Sequence, residues 1–347
     1  MLSREQLERI LAALPNVRIA VVGDFCLDAY WYADMTLAEL SRETPRFPRP
    51  VIREQYTPGG AGNVTANLCA LGVSRVLAIT VMGEDWRGRI LRDELAARGV
   101  DLDGVIVSPD RVTAAYVKPV LRGYESEQED ARLDFENRIP LPPVLETEII
   151  ARLEKYLPEL DALIIADQMA RGVISDQVRE ALNQLAERFP QTLFLTDSRS
   201  HIGEFRGMVL KPNRMEALAA VGSTQDPRAA DLNTLIAAGQ ELACRTNRPI
   251  YVTLSQEGAL LCTPEGWQRL PGIPTPPPID PVGAGDAFAA ALAAGLAAGA
   301  LPAEAGLLAN LAAAVTVKKL NQTGTASPAE IRARYEDAIS AWEGQNA

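Results

Sequence analysis

The chain has 347 residues, 47% of them hydrophobic, enough for one large α/β domain or two smaller ones. Its 34 basic and 45 acidic residues leave a net charge of −11, which argues against nucleic acid and anionic membranes, since both reward clustered Lys and Arg. The four cysteines, Cys26, Cys69, Cys244 and Cys262, lie far apart and offer neither zinc spacing nor a disulfide framework.

The opening stretch MLSREQLERILAALP reads as a short amphipathic helix carrying Arg4, Glu5, Glu8 and Arg9, where a secretory signal needs an unbroken apolar run. Beyond it, strands are predicted over 17–23, 75–83, 161–167, 192–197, 208–213 and 249–255. Helices are predicted over 62–71, 86–98, 175–188, 230–245, 284–298, 303–319 and 328–342. The strand segments are continuously apolar rather than alternating, as in parallel strands covered on both faces. Such alternation of strand and helix predicts an α/β fold with a doubly wound, mostly parallel sheet. Segments 29–58 and 111–136 break the pattern and are predicted to form a small β lid on a single domain spanning 1–347. The longest apolar stretch, 287–303, is mostly Ala, contains Pro302 and is short for a membrane span. A cytoplasmic protein without membrane contact is expected.

Near the C-terminus, IDPVGAGDAFAAAL (279–292) places glycine and alanine in front of a helical run with one acid at its mouth. Gly283, Ala284 and Gly285 leave the backbone N–H groups unobstructed, and a helix N-terminus adds unpaired donors and a positive dipole end. Together these features suit an anion. Asp286 would repel that anion, but it is well suited to take a proton from a hydroxyl that attacks it. The bland alternative is a helix-capping acid behind an ordinary turn, and the string alone favours it.

Companion stretches change that balance. DPVGAGDAFAAALAAGL resembles the C-terminal signature of the ribokinase-like (PfkB) carbohydrate kinases. VVGDFCLDAYW, PGGAGNVTANLCALG, KPNRMEA, VTLSQEGALL and LLANLAAAVTVKKLNQTGT resemble further elements of that family, in the same order, across residues 17–326. The resemblance implies a ribokinase-like fold and ATP-dependent phosphoryl transfer to a sugar hydroxyl, with ATP and Mg²⁺ as cofactors. It implies Asp286 as base and Gly283, Ala284 and Gly285 as anion hole, with Asp28, Gly59, Gly60 and Asn63 on the sugar. Asn213 and Glu216 would order phosphates and water-bound Mg²⁺, Ser255 and Gly258 the nucleotide loop, and Asn310 the adenine side. Asp280 matches a position tied to a monovalent cation such as K⁺, although Pro281 stands where Thr is common.

Within that family, RLDFE (132–136) and the stretch ELSRETPRFPRPVIREQYTPGGAGN resemble the heptose-7-phosphate kinase module of bacterial ADP-heptose synthesis. Arg171 and Arg199 replace two of that module's lysines, an exchange that keeps charge and alters hydrogen-bond geometry. A sugar or sugar phosphate is therefore the expected acceptor. A nucleoside or simple pentose kinase, and a silent sugar- or nucleotide-binding regulator, are the alternatives. Arg42, Arg46, Arg49, Arg53, Lys118 and Arg122 are lid cations within reach of an anionic sugar. Pairing of two lids predicts a homodimer. His201, the sole histidine, reads as a loop residue outside any Ser/His/Asp arrangement.

Overall fold

The computed structural model describes residues 2–320 and 322–344. Its strands run β1 (Arg18–Gly23), β2 (Phe25–Asp34), β3 (Val51–Gly60), β4 (Arg75–Gly83), β5 (Asp101–Ser108), β6 (Ala114–Arg122) and β7 (Glu127–Glu129). They continue with β8 (Leu133–Phe135), β9 (Ala162–Asp167), β10 (Leu193–Ser198), β11 (Val209–Leu210), β12 (Ile250–Thr253), β13 (Gly258–Thr263) and β14 (Gly266–Pro271). The helices are α1 (Arg4–Ala13), α2 (Ala61–Leu71), α3 (Trp86–Ala97), α4 (Pro143–Tyr156) and α5 (Asp176–Arg188). After them come α6 (Arg214–Ala220), α7 (Leu232–Thr246), α8 (Ala284–Ala297), α9 (Pro302–Thr316) and α10 (Pro328–Gly344).

Nine strands form a large sheet in the order β14-β13-β12-β11-β10-β9-β1-β4-β5. Pairing is parallel from β5 through to β12 and antiparallel in the β12-β13-β14 tail. Strand β1 is covered on both faces, and its side chains alternate between two cores. Ile19 and Val21 join α1, α2, α8 and α9 on one face. Ala20 and Val22 join α4, α5 and α7 on the other. All four are 0% exposed, and full burial of a Val or Ile side chain stabilises by about 1.5–3 kcal/mol. Strand order turns back between β1 and β9, and a crevice beyond the carboxyl ends at such a point is where open α/β sheets bind ligands.

A second sheet has the order β3-β2-β6-β7, with β8 on β6. It grows straight out of the first, because only Asp24 separates β1 from β2. Segment 111–136, read as antiparallel strands, pairs that way in β6-β7 and β6-β8, while β2 pairs antiparallel with β3 and parallel with β6. Three further features lie outside the predicted set: β5, α4 and the β13-β14 hairpin. Edge strands β5 and β14 bury residues on one face only, so neither carries the unbroken apolar run used to find the interior strands. No helix among the described residues is long and apolar enough to cross a membrane.

Helix α8 is built from small residues because it is sandwiched. It packs against α2 and α9, and every residue from Ala287 to Gly295 is buried. That packing points its N-terminus at the crevice.

Candidate active site

Gly283 begins the site. Its φ of 78° is left-handed, and a Cβ there would stand 2.5 Å from Asn63 Nδ2, so only glycine fits both the turn and the neighbour. Ala284 donates its N–H to the Pro281 carbonyl at 3.2 Å, closing the turn that opens α8. Gly285 presents no side chain, and Lys211 Nζ stands 3.9 Å from where its Cβ would be. A bare backbone, a helix N-terminus and an ammonium thus meet at one point, a combination suited to phosphate oxygens.

Asp286 is the third residue of α8 and accepts from Asn63 Nδ2 at 2.9 Å. Asn63 is itself 1% exposed and held by Asn67, whose Nδ2 donates to its carbonyl at 3.0 Å and to its Oδ1 at 3.2 Å. Burial pushes the Asp286 carboxyl up to about 7, with Asp197 and Asp28 adding to the shift and Asn63 and Lys211 opposing it. A carboxylate that titrates near neutrality and is steered by one amide is equipped to accept a proton.

Lys211 and Asp197 carry the site's buried charges. Lys211 Nζ lies 3.0 Å from Asp197 Oδ2, and the lysine is 4% exposed. Burial works against the ammonium, but Asp197, Glu216 and Asp286 outweigh it and hold the pKa above the ordinary lysine value. Neither residue stands out in the sequence, although both sit in segments predicted there as strands. Their signal is the β10-β11 register: Thr196 pairs with Leu210, which sets Asp197 beside Lys211.

Asn213 and Glu216 form a reciprocal cap on α6. Asn213 Oδ1 accepts from Glu216 N at 3.0 Å, and the Glu216 carboxylate accepts from Asn213 N and Nδ2, both at 2.7 Å. Burial raises the Glu216 pKa against the Asn213 backbone bond and Lys211. Among the described residues no group of three or more His, Cys, Asp or Glu is placed to hold a metal. Two carboxylates, Asp197 and Glu216, still suit Mg²⁺, which takes few protein ligands and keeps several waters.

On the sugar side, Asp28 lies on β2 over Gly59, where a Cβ would come within 2.5 Å of Asp28 Oδ2 and 2.7 Å of Cys26 Sγ. The close approach that Gly59 permits is therefore first of all the protein's own. Gly60 caps α2. Burial pushes the Asp28 carboxyl up to about 6, opposed by Lys118 and Arg132. Lys118 donates to the Tyr30 hydroxyl at 3.1 Å. Among the other lid cations, Arg49 pairs with Asp130, Arg53 stacks on Tyr32 at 3.8 Å and Arg122 lies 4.0 Å from Glu127, while Arg42 and Arg46 are exposed.

Asp24, the first acid of the VVGDFCLDAYW element, is a further buried acid. It is 2% exposed and accepts three backbone amides: Gln168 at 2.8 Å, Met169 at 2.7 Å and Val173 at 2.7 Å. Burial still lifts its pKa to about 6, against the Val173 bond.

On the nucleotide side, Ser255 stands in the left-handed region at φ 55, an uncommon choice for a residue with a side chain, in the turn before Gly258. Asn310 is 7% exposed and its Nδ2 donates to Leu270 and Pro271 carbonyls at 3.3 and 3.0 Å, so the amide ties α9 to β14. Asp280 accepts from Val282 N at 3.0 Å, and its own N–H donates to the Val317 carbonyl at 2.8 Å. His201 lies in the loop after β10, as expected. Its Nδ1 lies 3.0 Å from Asp167 Oδ2, to which Ser198 Oγ also donates at 2.6 Å. The Ser198 hydroxyl and the His201 ring both address the acid, and serine and histidine meet only where the His201 backbone N–H donates to Ser198 Oγ at 3.0 Å, so the trio is no nucleophile relay.

Curated relatives extend this picture. The Bifunctional protein HldE of Geotalea uraniireducens is 32% identical over 343 residues, covering 97% of this chain and 66% of its own length. That of Trichlorobacter lovleyi is 33% identical over 333 residues, covering 95% and 65%. The chain thus spans just under two thirds of these relatives. Among solved structures, ribokinase from Thermotoga maritima superposes with a TM-score of 0.66 at 21% identity, over 92% of this chain and 99% of that one. Phosphofructokinase-2 from Escherichia coli gives 0.69 at 20% identity, over 93% and 100%. These structures show the ribokinase-like fold. The family profile described as pfkB family carbohydrate kinase matches residues 18–330, and the chain belongs to that family.

Proposed function

We propose that the chain transfers the γ-phosphoryl group of ATP to a hydroxyl of a sugar or sugar phosphate, with Asp286 as the base. One observation carries this reading: the Asp286 carboxylate, steered by Asn63 at 2.9 Å, shares the α8 N-terminus with the Lys211 ammonium. The acceptor hydroxyl lies against Asp286, which takes its proton as the oxygen attacks the phosphorus in line. Charge spread over the transferring oxygens meets the Gly285 backbone, the α8 dipole and Lys211. Asp197 keeps Lys211 charged and aimed. Mg²⁺, held through Glu216, Asp197 and water, supplies neutralisation of the nucleotide phosphates when bound. Asp28, Gly59, Gly60 and Asn63 hold the sugar, Ser255, Gly258 and Asn310 belong to the nucleotide side, and Asp280 to a K⁺-type site. The HldE relatives favour a heptose 7-phosphate acceptor.

The reading places the protein in the cytoplasm and makes it a dimer through the small sheet. Edge strand β3 exposes Val51 and Ile52 by 44% and 52%, which suits pairing with a second copy. A monomeric mass by light scattering would remove that part. The central test is an acceptor screen with ATP and Mg²⁺ across heptose 7-phosphate, hexose phosphates, ribose and nucleosides. Turnover confined to ribose or nucleosides would move the reading to the pentose or nucleoside alternative. No turnover with any acceptor would defeat it.

A further inference from the structure

Asn63 steers Asp286 with an amide, and an amide can be turned end for end. With Nδ2 toward Asp286 it donates and favours the carboxylate. With Oδ1 there it accepts and favours the protonated acid, which is no base. Proton abstraction needs the first orientation, so something must enforce it. Asn67 lies one turn further along α2, where an i, i+4 pair shares a face. Its Nδ2 donates to three oxygens: the Asn63 carbonyl at 3.0 Å, Asn63 Oδ1 at 3.2 Å and the Gly324 carbonyl at 3.2 Å. Two of the three are backbone carbonyls, which cannot turn over. Reversing Asn67 would set its Oδ1 against all three, so its own orientation is fixed. A fixed Nδ2 in turn requires an oxygen on the near side of the Asn63 amide. The other end of that amide, Nδ2, is the one that meets Asp286 at 2.9 Å.

Asn67 is also a poor choice for structure alone. It is 1% exposed, and its Oδ1 is buried with no hydrogen-bond partner among the described residues. A leucine of similar size would fill the same place on α2 without stranding an acceptor. The Gly324 bond also reaches the loop whose Thr323 Cβ stands 3.7 Å from where a Gly283 Cβ would be. One side chain thus joins the amide that steers the acid to a loop packed on the turn that opens α8.

We propose that Asn67 is a positioning residue: it locks the Asn63 amide with Nδ2 toward Asp286 and so holds that acid ready as a base. That Asp286 is the base rests on the kinase reading; the locked amide does not. Asp197 on β10, Lys211 after β11, and Asp28 and Cys26 on β2 also face Asp286. An uncharged replacement at position 67 leaves all four as they are, so a change at Asp286 reports the amide.

A pH series on Asn67→Leu tests this, with Asn67→Ala beside it as a variant that needs no extra space. In wild type, turning the Asn63 amide over costs the bond from Asn67; in either variant it turns freely and can follow the proton. The Asp286 titration, read by carboxyl NMR on ¹³C-aspartate protein and assigned with Asp286→Asn, should move to higher pH by up to about one unit. With ATP, Mg²⁺ and heptose 7-phosphate, kcat/KM should show a deficit of about tenfold below an apparent pKa near 7 that closes by about pH 9. In an Asn63→Leu background the same substitutions should add no further shift, because they act through Asn63. Thr323→Val cuts the neighbouring bond from Thr323 Oγ1 to the Pro58 carbonyl and should leave the titration in place. A titration unmoved by Asn67→Leu and Asn67→Ala would overturn the proposal. So would a deficit uniform across pH, shifts that add in the double variant, or an equal shift from Thr323→Val. A moved NMR titration in a protein that turns over no acceptor would sink the kinase reading and leave Asn67 as the residue that orients the amide.

Discussion

Asp24, which is buried, and Asp286, which is partly buried, are both aspartates with raised pKa values. They differ in what holds them. Asp24 accepts three backbone amides and is locked to a loop, whereas Asp286 accepts one side-chain amide. Three fixed donors stabilise an anion and give it nothing further to do. One donor orients a carboxylate and leaves lone pairs for an incoming hydroxyl. Burial lifts Asp24 to about 6 and Asp286 to about 7.

The contrast is sharpest in activity. Asp286→Asn should lower kcat by about 10²–10⁴-fold in steady-state assays while leaving ATP binding similar. Near-normal turnover would remove the distinction between the two acids. Asp24→Asn should act on the fold instead, because its new NH₂ faces amide donors. Denaturant unfolding should show a loss of about 1–3 kcal/mol for each amide left without an acceptor. A milder consequence is pH dependence. Activity needs the ionised Asp286, so kcat/KM should fall about tenfold per unit below an apparent pKa near 7. Asn63→Leu removes the bond that favours the anion and should move that limb to higher pH by roughly one unit.

The smallest effect is on stability. Asp286 has a folded pKa of about 7 against an ordinary value of 3.8, so between those limits the folded protein binds more protons than the unfolded chain. Stability from this group is therefore lost as pH rises through that window. Asp286→Asn escapes the loss, and its melting temperature relative to wild type should be higher at about pH 8 than at about pH 5. A shift of the opposite sign would mean that Asp286 is stabilised as an anion, as a purely structural acid would be.

Much of the site is local in sequence and so can be read there. Gly283, Gly285 and Asp286 belong to one turn-and-helix string, and Asn63 follows a glycine pair at the start of α2. The Lys211–Asp197 pair is not legible in the same way, because two strand ends meet only through sheet register. Asp24 stands in a marked element, but its partners are hidden for a similar reason: its three donors come from a loop about 145 residues away. Asn310 shows the opposite limit. Its position is marked by the family pattern, but the carbonyls its amide ties down lie on β14, a strand that hydrophobic periodicity does not reveal.

The single residue between β1 and β2 has a mechanical consequence. Of the crossings between the two sheets this is the shortest, and the Asp24 side chain ties it to the 168–173 loop. The start of the small sheet and the loop after β9 are therefore anchored to one buried carboxylate, which sets their spacing.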